Sequence, residues 1–274
     1  MFDTLREDTR PLIMGILNLT PDSFSDGGQH SDVHVACARA GRMVEEGADL
    51  IDLGGESTRP GAAPVSVETQ LARVLPVLRA LVASLPARVA LSVDTRAPQV
   101  ADACLAAGAR VVNDVSGARE PGMLEVIARH EAALVLMHMR GTPATMQLEP
   151  RYQDVVAEVR DYLLARAAAA RAAGIPARCI ALDPGIGFGK NRAHNLALLA
   201  ALDEFVACGY PVLLGTSRKR FMGAICSETE PTELLGATCA TTALGVAAGV
   251  RIFRVHDVKA NRQAADVAWA IAAR

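Results

Sequence analysis

The stretch CIALDPGIGFGK, residues 179–190, runs from four apolar positions into an acid and then a glycine-rich turn. A short, near-continuous apolar run of this kind reads as a strand covered on both faces, as in a parallel sheet flanked by helices. The same signature recurs on either side of it. Leu12–Leu17, Leu50–Leu53, Val89–Val93, Arg110–Val112, Ala133–Met137, Val212–Leu214 and Ile252–Val255 join Cys179–Leu182 as eight expected strands. Helical spacing fills the gaps: Val33–Glu46 stops at Gly47, Val67–Ala83 has apolar residues three and four apart, and Tyr152–Ala173 stops at Gly174. Pro98, Pro121 and Pro231 stand where further helices begin. Strand and crossover helix, repeated eight times in 274 residues, predict an α/β chain folded as a (β/α)8 TIM barrel. A doubly wound open sheet is the alternative, since periodicity does not show closure. No composition shift or linker divides the chain. It reads as one domain over 1–274, with residues 1–10 as a short lead-in.

Composition narrows the function. At 51% hydrophobic and 21% charged, the chain can bury a large core and is not a disordered one. Its 28 basic and 30 acidic residues leave a formal charge of −2, with no footprint for nucleic acid or an anionic membrane. Six cysteines lie far apart without a C-x-x-C pair, and the polar start MFDTLREDTR is no signal peptide. Reduced thiols in a cytoplasmic protein are the expectation. Residues 234–250 carry no charge, but Thr, Gly, Ala and Cys dilute them, so a helix packed on a buried sheet is expected and a membrane span is not.

Each expected strand runs into a polar residue: Asn18, the GGESTR segment 54–59, Asp94, Asn113 with Asp114, His138, Asp183, Ser217 to Lys219, and His256. Any one of these can be a turn former or a helix cap. Eight together fall on one rim of a barrel, the C-terminal face where active sites are built. Generic motifs fail. GIGFGK lacks the register of a phosphate loop, although its backbone N–H groups can still cradle an anion or let a flat ligand come close. His30 and His34 have metal spacing without a third ligand, and no Ser or Cys sits on a nucleophile elbow. What remains is Arg59, Arg218, Lys219, Arg254 and His256, suited to phosphate oxygens, opposed by Asp94, Asn113 and Asp183, suited to the donor edge of a heterocycle. A flat polar ring deep in the barrel and a phosphorylated tail near the rim satisfy both sets. Structural ion pairs among the same residues are the plain alternative.

The motifs ILNLTPDSFSDGG (16–28), DLGGESTRPGA (52–62), SVDT (92–95), VNDVSG (112–117), LMHMRGTPATMQ (136–147), LDPGIGFGK (182–190), SRK (217–219) and RVHDV (254–258) together resemble the dihydropteroate synthase family of pterin-binding barrels. The resemblance implies condensation of 6-hydroxymethyl-7,8-dihydropterin diphosphate with 4-aminobenzoate, giving 7,8-dihydropteroate and diphosphate in folate biosynthesis. Carried over by motif, Asp94, Asn113, Asp183 and Lys219 would hold the pterin ring, lined by Met137, Phe188 and Gly215. Asn18 would ligate Mg2+ on the diphosphate, while Thr58, Arg59, Arg254 and His256 would bind the phosphates. Ser217, Arg218, Thr58 and Pro60 would shape the aminobenzoate pocket, with Phe24 and Asp26 closing over the reacting centre. Asp26, Arg59, Lys219, Arg254 and His256 are thus the expected catalytic set. The resemblance also implies a homodimer, with the uncharged 234–250 helix as a candidate interface, and ordinary sulfonamide sensitivity.

Departures from the family pattern are small: Asn191 after the GFGK lysine, Thr216 before SRK, and Arg220 after it. Three competing readings were weighed. A methyltetrahydrofolate-dependent corrinoid methyltransferase has no need of ESTRPG, SRK and RVH together. A non-catalytic pterin-binding paralogue would have lost Asn18, Arg59 or Lys219. A Schiff-base aldolase would use Lys219 alone.

Overall fold

The computed structural model describes residues 10–20, 29–58 and 61–272. Eight parallel strands, β1 Leu12–Asn18, β2 Leu50–Gly54, β3 Ala90–Asp94, β4 Val111–Asp114, β5 Ala133–Met137, β6 Ile180–Asp183, β7 Leu213–Leu214 and β8 Ile252–Val255, form one sheet. Its order is β6-β5-β4-β3-β2-β1-β8-β7, and a parallel bridge from Leu182 to Val212 brings its ends together. Leu182 N also donates to Pro211 O at 2.9 Å across that seam. The open-sheet alternative is thereby set aside, and the chain is a (β/α)8 barrel.

Ten α-helices lie among the described residues: α1 Gln29–Glu45, α2 Val67–Ser84, α3 Pro98–Ala106, α4 Met123–Arg129, α5 Val155–Ala172, α6 Arg192–Ala200, α7 Leu202–Val206, α8 Arg220–Cys226, α9 Leu235–Ala247 and α10 Val258–Ala272. Local chemistry sets several starts. Ser66 caps α2, Asp154 accepts from Val156 N and Ala157 N to cap α5, and Pro98 opens α3. Pro231 opens only a short 3-10 turn, and α4 begins at Met123, two residues past Pro121. Asn191 explains its own departure from the family pattern. It caps α6 by accepting from His194 N at 2.9 Å, while His194 Nδ1 accepts from Asn191 N.

The pleat decides which residues reach the site. Gly15 faces outward, where an added Cβ would lie 2.9 Å from Met43 Sδ of α1 and 3.3 Å from Val258 of α10. Gly54 faces inward, 3.6 Å from Asn18 Oδ1 and 3.8 Å from Asp94 Cβ by the same measure. Register then aligns Asn18 with Gly54, Gly54 with Asp94, Asp94 with Asn113, and Met137 with Asp183. One inward ring at the C-terminal mouth results. Outward residues such as Ile13, Leu17, Leu53, Leu134 and Phe253 are fully buried under the helices.

Sequence reading ended the strands one or two residues early. Asn18, Gly54, Asp94, Asn113, Asp114 and Asp183 are strand residues, because the ladder continues through them; Asp94, Asn113, Asp114 and Asp183 are also buried. β7 is shorter than expected: Val212 makes the seam bridge, and its carbonyl accepts from Arg251 N and Ile252 N, but it lies outside the strand. No described helix is long and apolar enough to cross a membrane; α9, within the uncharged 234–250 stretch, has 13 residues. The expected lead-in, apart from Arg10, lies outside the described residues.

Candidate active site

Within the ring, Arg254 on β8 joins two acids. Its Nε donates to Asp52 Oδ2 at 2.7 Å and its Nη2 to Asp94 Oδ2 at 2.8 Å, while Asn113 Nδ2 donates to Asp52 Oδ2 at 3.0 Å. Two buried acceptors, Asp52 Oδ1 and Asp94 Oδ1, have no hydrogen-bond partner among the described residues. A buried carboxylate oxygen left unpaired is costly unless a ligand donor completes it. Burial raises the Asp94 pKa, and the Arg254 guanidinium pulls it back toward the charged form. Burial also works against the charge on Arg254, but Asp52 and Asp94 hold it above the ordinary arginine value.

On the far side of the mouth, Asp183 ends β6 with its Oδ1 accepting from Gly185 N at 2.7 Å. Burial pushes its pKa up to about 6 against that bond and the nearby Lys219. Lys219 lies with Nζ 4.1 Å from the centre of the Phe188 ring. Burial draws its pKa down to about 8, with Asp183 opposing. Phe188 packs on a separate apolar cluster of Val115, Met137, Met139 and Met146. The mouth therefore has acids and an amide low in the barrel, cations across from them, and one apolar wall.

The SRK turn carries the remaining groups. Arg218 has a φ of +58°, and its guanidinium grips Asp257 with both oxygens, at 3.0 and 2.6 Å. His256 N donates to Ser217 Oγ at 3.1 Å, and Ser217 Oγ and His256 Nδ1 share a second hydrogen bond at 2.9 Å. Burial, then Arg218 and Arg254, depress the His256 pKa to about 3. The pH-dependent donor expected from sequence is, in this arrangement, a neutral imidazole at pH 7.

The structure brings Asp94, Asn113, Asp183, Lys219, Arg254, Met137, Phe188, Ser217 and His256 to one mouth, with Asn18 and Gly215 in the inward register. Arg254 pairs with Asp94, an ion pair of the plain alternative, and combines that with a place in the site; Arg218 pairs with Asp257, outside the set named from sequence. Thr58 is half-buried on the loop after β2. Phe24, Asp26, Arg59 and Pro60 lie outside the described residues, as does the side chain of His30; His34 is exposed on α1. In the glycine loop three N–H groups are already engaged: Gly185 N bonds Asp183, Gly187 N bonds Asn195 Oδ1 at 2.7 Å, and Phe188 N bonds Gly185 O at 3.1 Å.

Three residues were missed. Asp52 was readable from parity with Gly54, since an acid in the middle of an apolar strand must pair. Glu56 accepts Arg96 through both oxygens at 3.2 Å and Val65 N at 3.0 Å, closing the base of the loop that carries Thr58. Lys190 is 2% exposed, and no spacing rule announces a lysine that turns into its own loop. Among the described residues no group of three or more His, Cys, Asp or Glu side chains is placed to hold a metal. Cavities of about 480 Å3 lie off the mouth, against Arg140, Tyr152 and Glu158, whose charged groups pair with each other or with backbone. The unpaired oxygens of Asp52 and Asp94 lie on inward strand positions instead.

The pterin binding enzyme family matches residues 14–256. The dihydropteroate synthase of Synechocystis is 46% identical over 263 residues, covering 96% of this chain and 90% of that protein. The Neisseria meningitidis serogroup C dihydropteroate synthase is 48% identical over 264 residues, covering 95% and 92%. Among solved structures, Xanthomonas albilineans dihydropteroate synthase with 4-aminobenzoic acid superposes with a TM-score of 0.91 at 47% identity, covering 98% of this chain and 95% of that one. The same enzyme in complex with 7,8-dihydropteroate gives 0.87 at 44%, covering 98% and 96%. With the barrel, the mouth and these relatives in agreement, the chain belongs to the dihydropteroate synthase family of pterin binding enzymes.

Proposed function

We propose that this chain condenses 6-hydroxymethyl-7,8-dihydropterin diphosphate with 4-aminobenzoate to 7,8-dihydropteroate and diphosphate, the transferase step its family performs. The observation that carries the reading is the mouth itself: buried acids with unpaired oxygens face Lys219, Arg254 and His256 across one opening. Asp94, Asn113 and Asp183 supply acceptors for the N–H edge of a pterin, and Lys219 a cation for its carbonyl side. Met137, Phe188 and Gly215 give the ring a flat, apolar seat.

The amine of 4-aminobenzoate is neutral at pH 7, so its lone pair needs no general base, consistent with a site that has no activated nucleophile. The barrier lies in breaking the bond between the pterin methylene and the diphosphate oxygen, whose electron pair leaves with diphosphate. Arg254, His256, Thr58 and Arg59 are assigned to that departing charge. The methylene cation is stabilised through the ring by the acids of the mouth and by Asp26, then captured by the amine, which releases a proton. Ser217, Arg218, Thr58 and Pro60 shape the amine's approach, and Phe24 and Asp26 exclude water, the competing nucleophile.

Mg2+ fits the residues present in one way. The Asn18 amide oxygen, at the inward end of β1, would be its ligand, and no acidic cage accompanies it among the described residues. That suits an ion held by one protein oxygen, waters and substrate phosphates. When bound, it neutralises charge on the diphosphate.

A homodimer and a cytoplasmic location are part of the same proposal. Leu235 and Leu244 on α9 and Val267 and Ile271 on α10 are exposed apolar residues on packed neighbouring helices, and all six cysteines are free thiols. Sedimentation at micromolar concentration should show a dimer, and a monodisperse monomer removes it. The direct test of function is diphosphate release from the pterin diphosphate with Mg2+, with and without 4-aminobenzoate, the product identified by mass. Release coupled to dihydropteroate supports the reading; pterin binding without product contradicts it. A sulfonamide should compete with 4-aminobenzoate, and turnover untouched by a large sulfonamide excess counts against the pocket assignment.

A further inference from the structure

Lys190 ends the glycine loop between β6 and α6, yet its side chain folds back beneath that loop. Its Nζ has four acceptors: Gly185 O at 2.9 Å, Phe188 O at 3.0 Å, His138 O at 3.2 Å and His138 Nδ1 at 2.9 Å. Three N–H bonds cannot fill four acceptors at once, so the ammonium is fully engaged and has no capacity left for a ligand. Burial lowers its pKa to about 7, with Asp183 opposing and Lys219 adding, so the ammonium is the form present below that pH. Burial and the Lys190 charge together depress His138 to about 2, which keeps its Nδ1 an acceptor.

The backbone is shaped around this charge. Gly185 has a φ of +67°, and a Cβ there would stand 1.9 Å from His138 O. Gly189 has a φ of +63°, and a Cβ there would stand 2.7 Å from Arg140 O. No side chain fits at either position, so the loop after β6 lies directly on the loop after β5. Its carbonyls turn inward and converge on Nζ. Without a cation those oxygens would face one another unpaired in a buried space, and the loop would not hold this shape.

What the loop carries is the pterin side of the mouth. Asp183 is bonded to Gly185 N, and the Phe188 ring seats Lys219. We infer that Lys190 is a positioning residue for the pterin ring: its buried ammonium acts as a built-in structural cation that ties the β5 and β6 loops and holds Asp183 and Phe188 toward the ring. Lys190 touches no substrate in this account. The inference rests on the pterin reading of the mouth, and it separates the two ends of the reaction, since the phosphate and amine groups come from other loops.

Lys190→Met keeps the apolar stem and removes the charge. Measured with both substrates varied, it should raise KM for the pterin diphosphate about tenfold or more while KM for 4-aminobenzoate stays within about twofold. Lys190→Ala leaves the acceptors around an empty space, and added ethylammonium should restore pterin affinity where tetramethylammonium, which has no N–H donor, does not. Should neither variant fold, His138→Phe keeps a ring and removes one acceptor, and a smaller selective rise in pterin KM is expected. An unchanged pterin KM in a folded variant, an equal rise for both substrates, or rescue by tetramethylammonium overturns the inference. Wild-type turnover in the same assay distinguishes these outcomes from failure of the functional reading, which would appear as no dihydropteroate from the unaltered chain.

Discussion

At the scale of single residues, Asp183 is useful to the ligand and unfavourable to the fold. Its pKa in the folded chain is about 6, above the ordinary aspartate value of about 3.9. Between those values the folded state binds more protons than the unfolded one, so this group lowers stability as pH rises through that window and keeps it lowered above pH 6. Asp183→Asn retains an oxygen for Gly185 N–H and removes the buried charge. Thermal melts at pH 7.5 should show it stabilised, by about 1–3 kcal/mol, while its pterin affinity falls roughly a hundredfold. A variant that loses stability, or that keeps pterin affinity, contradicts the assignment. In the wild type, pterin affinity should fall on the acid side as Asp183, raised to about 6, and Asp94, also raised by burial, are protonated, and on the alkaline side as Lys190, at about 7, and Lys219, at about 8, lose their charge. Titration of binding against pH reads both limbs, and in Asp183→Asn the acid limb should keep only the Asp94 step.

At the scale of elements, α9 meets the barrel at a glycine. A Cβ on Gly245 would lie 2.7 Å from the Phe253 ring and 3.1 Å from Leu214, both fully or nearly fully buried on the strands. Gly→Ala inside a helix ordinarily gains about 0.5–1 kcal/mol. Here overpacking should win, and Gly245→Ala should destabilise by about 1–3 kcal/mol in denaturant melts. A stabilised variant would mean the helix slides freely over β8. Elements were also where sequence reading reached furthest. The eight apolar runs were legible because parallel strands buried on both faces have few polar interruptions, here Asp52, Ser92 and Arg254. Their ends were not, since Asn18, Asp94 and Asp183 read as turn residues until inward pairing is known. The rim of the site was legible for the same reason that the strand ends were blurred: polar residues collect there. Asp52 and Lys190 stayed hidden because their roles depend on partners across the barrel or beneath a loop, distances that local spacing does not encode.

At the scale of the whole molecule, the barrel separates two tasks. The strand ends hold fixed acids and cations at one mouth, and the loops after β1 and β2 bring the groups assigned to closure and to phosphate. That division supports an order in which the bond to diphosphate breaks before the amine attacks, because acids and cations share the mouth while no group among the described residues is placed to activate the amine. The most direct test is positional isotope exchange. Pterin diphosphate labelled with heavy oxygen at the methylene bridge is incubated with the enzyme and Mg2+ but no amine, and the recovered substrate is examined. The account predicts that label moves from the bridge into the non-bridging positions of the same phosphate, as the cation and diphosphate form and recombine. Label that stays wholly in the bridge, in enzyme that turns over fully once 4-aminobenzoate is added and whose rate depends steeply on the amine's substituents, would contradict it.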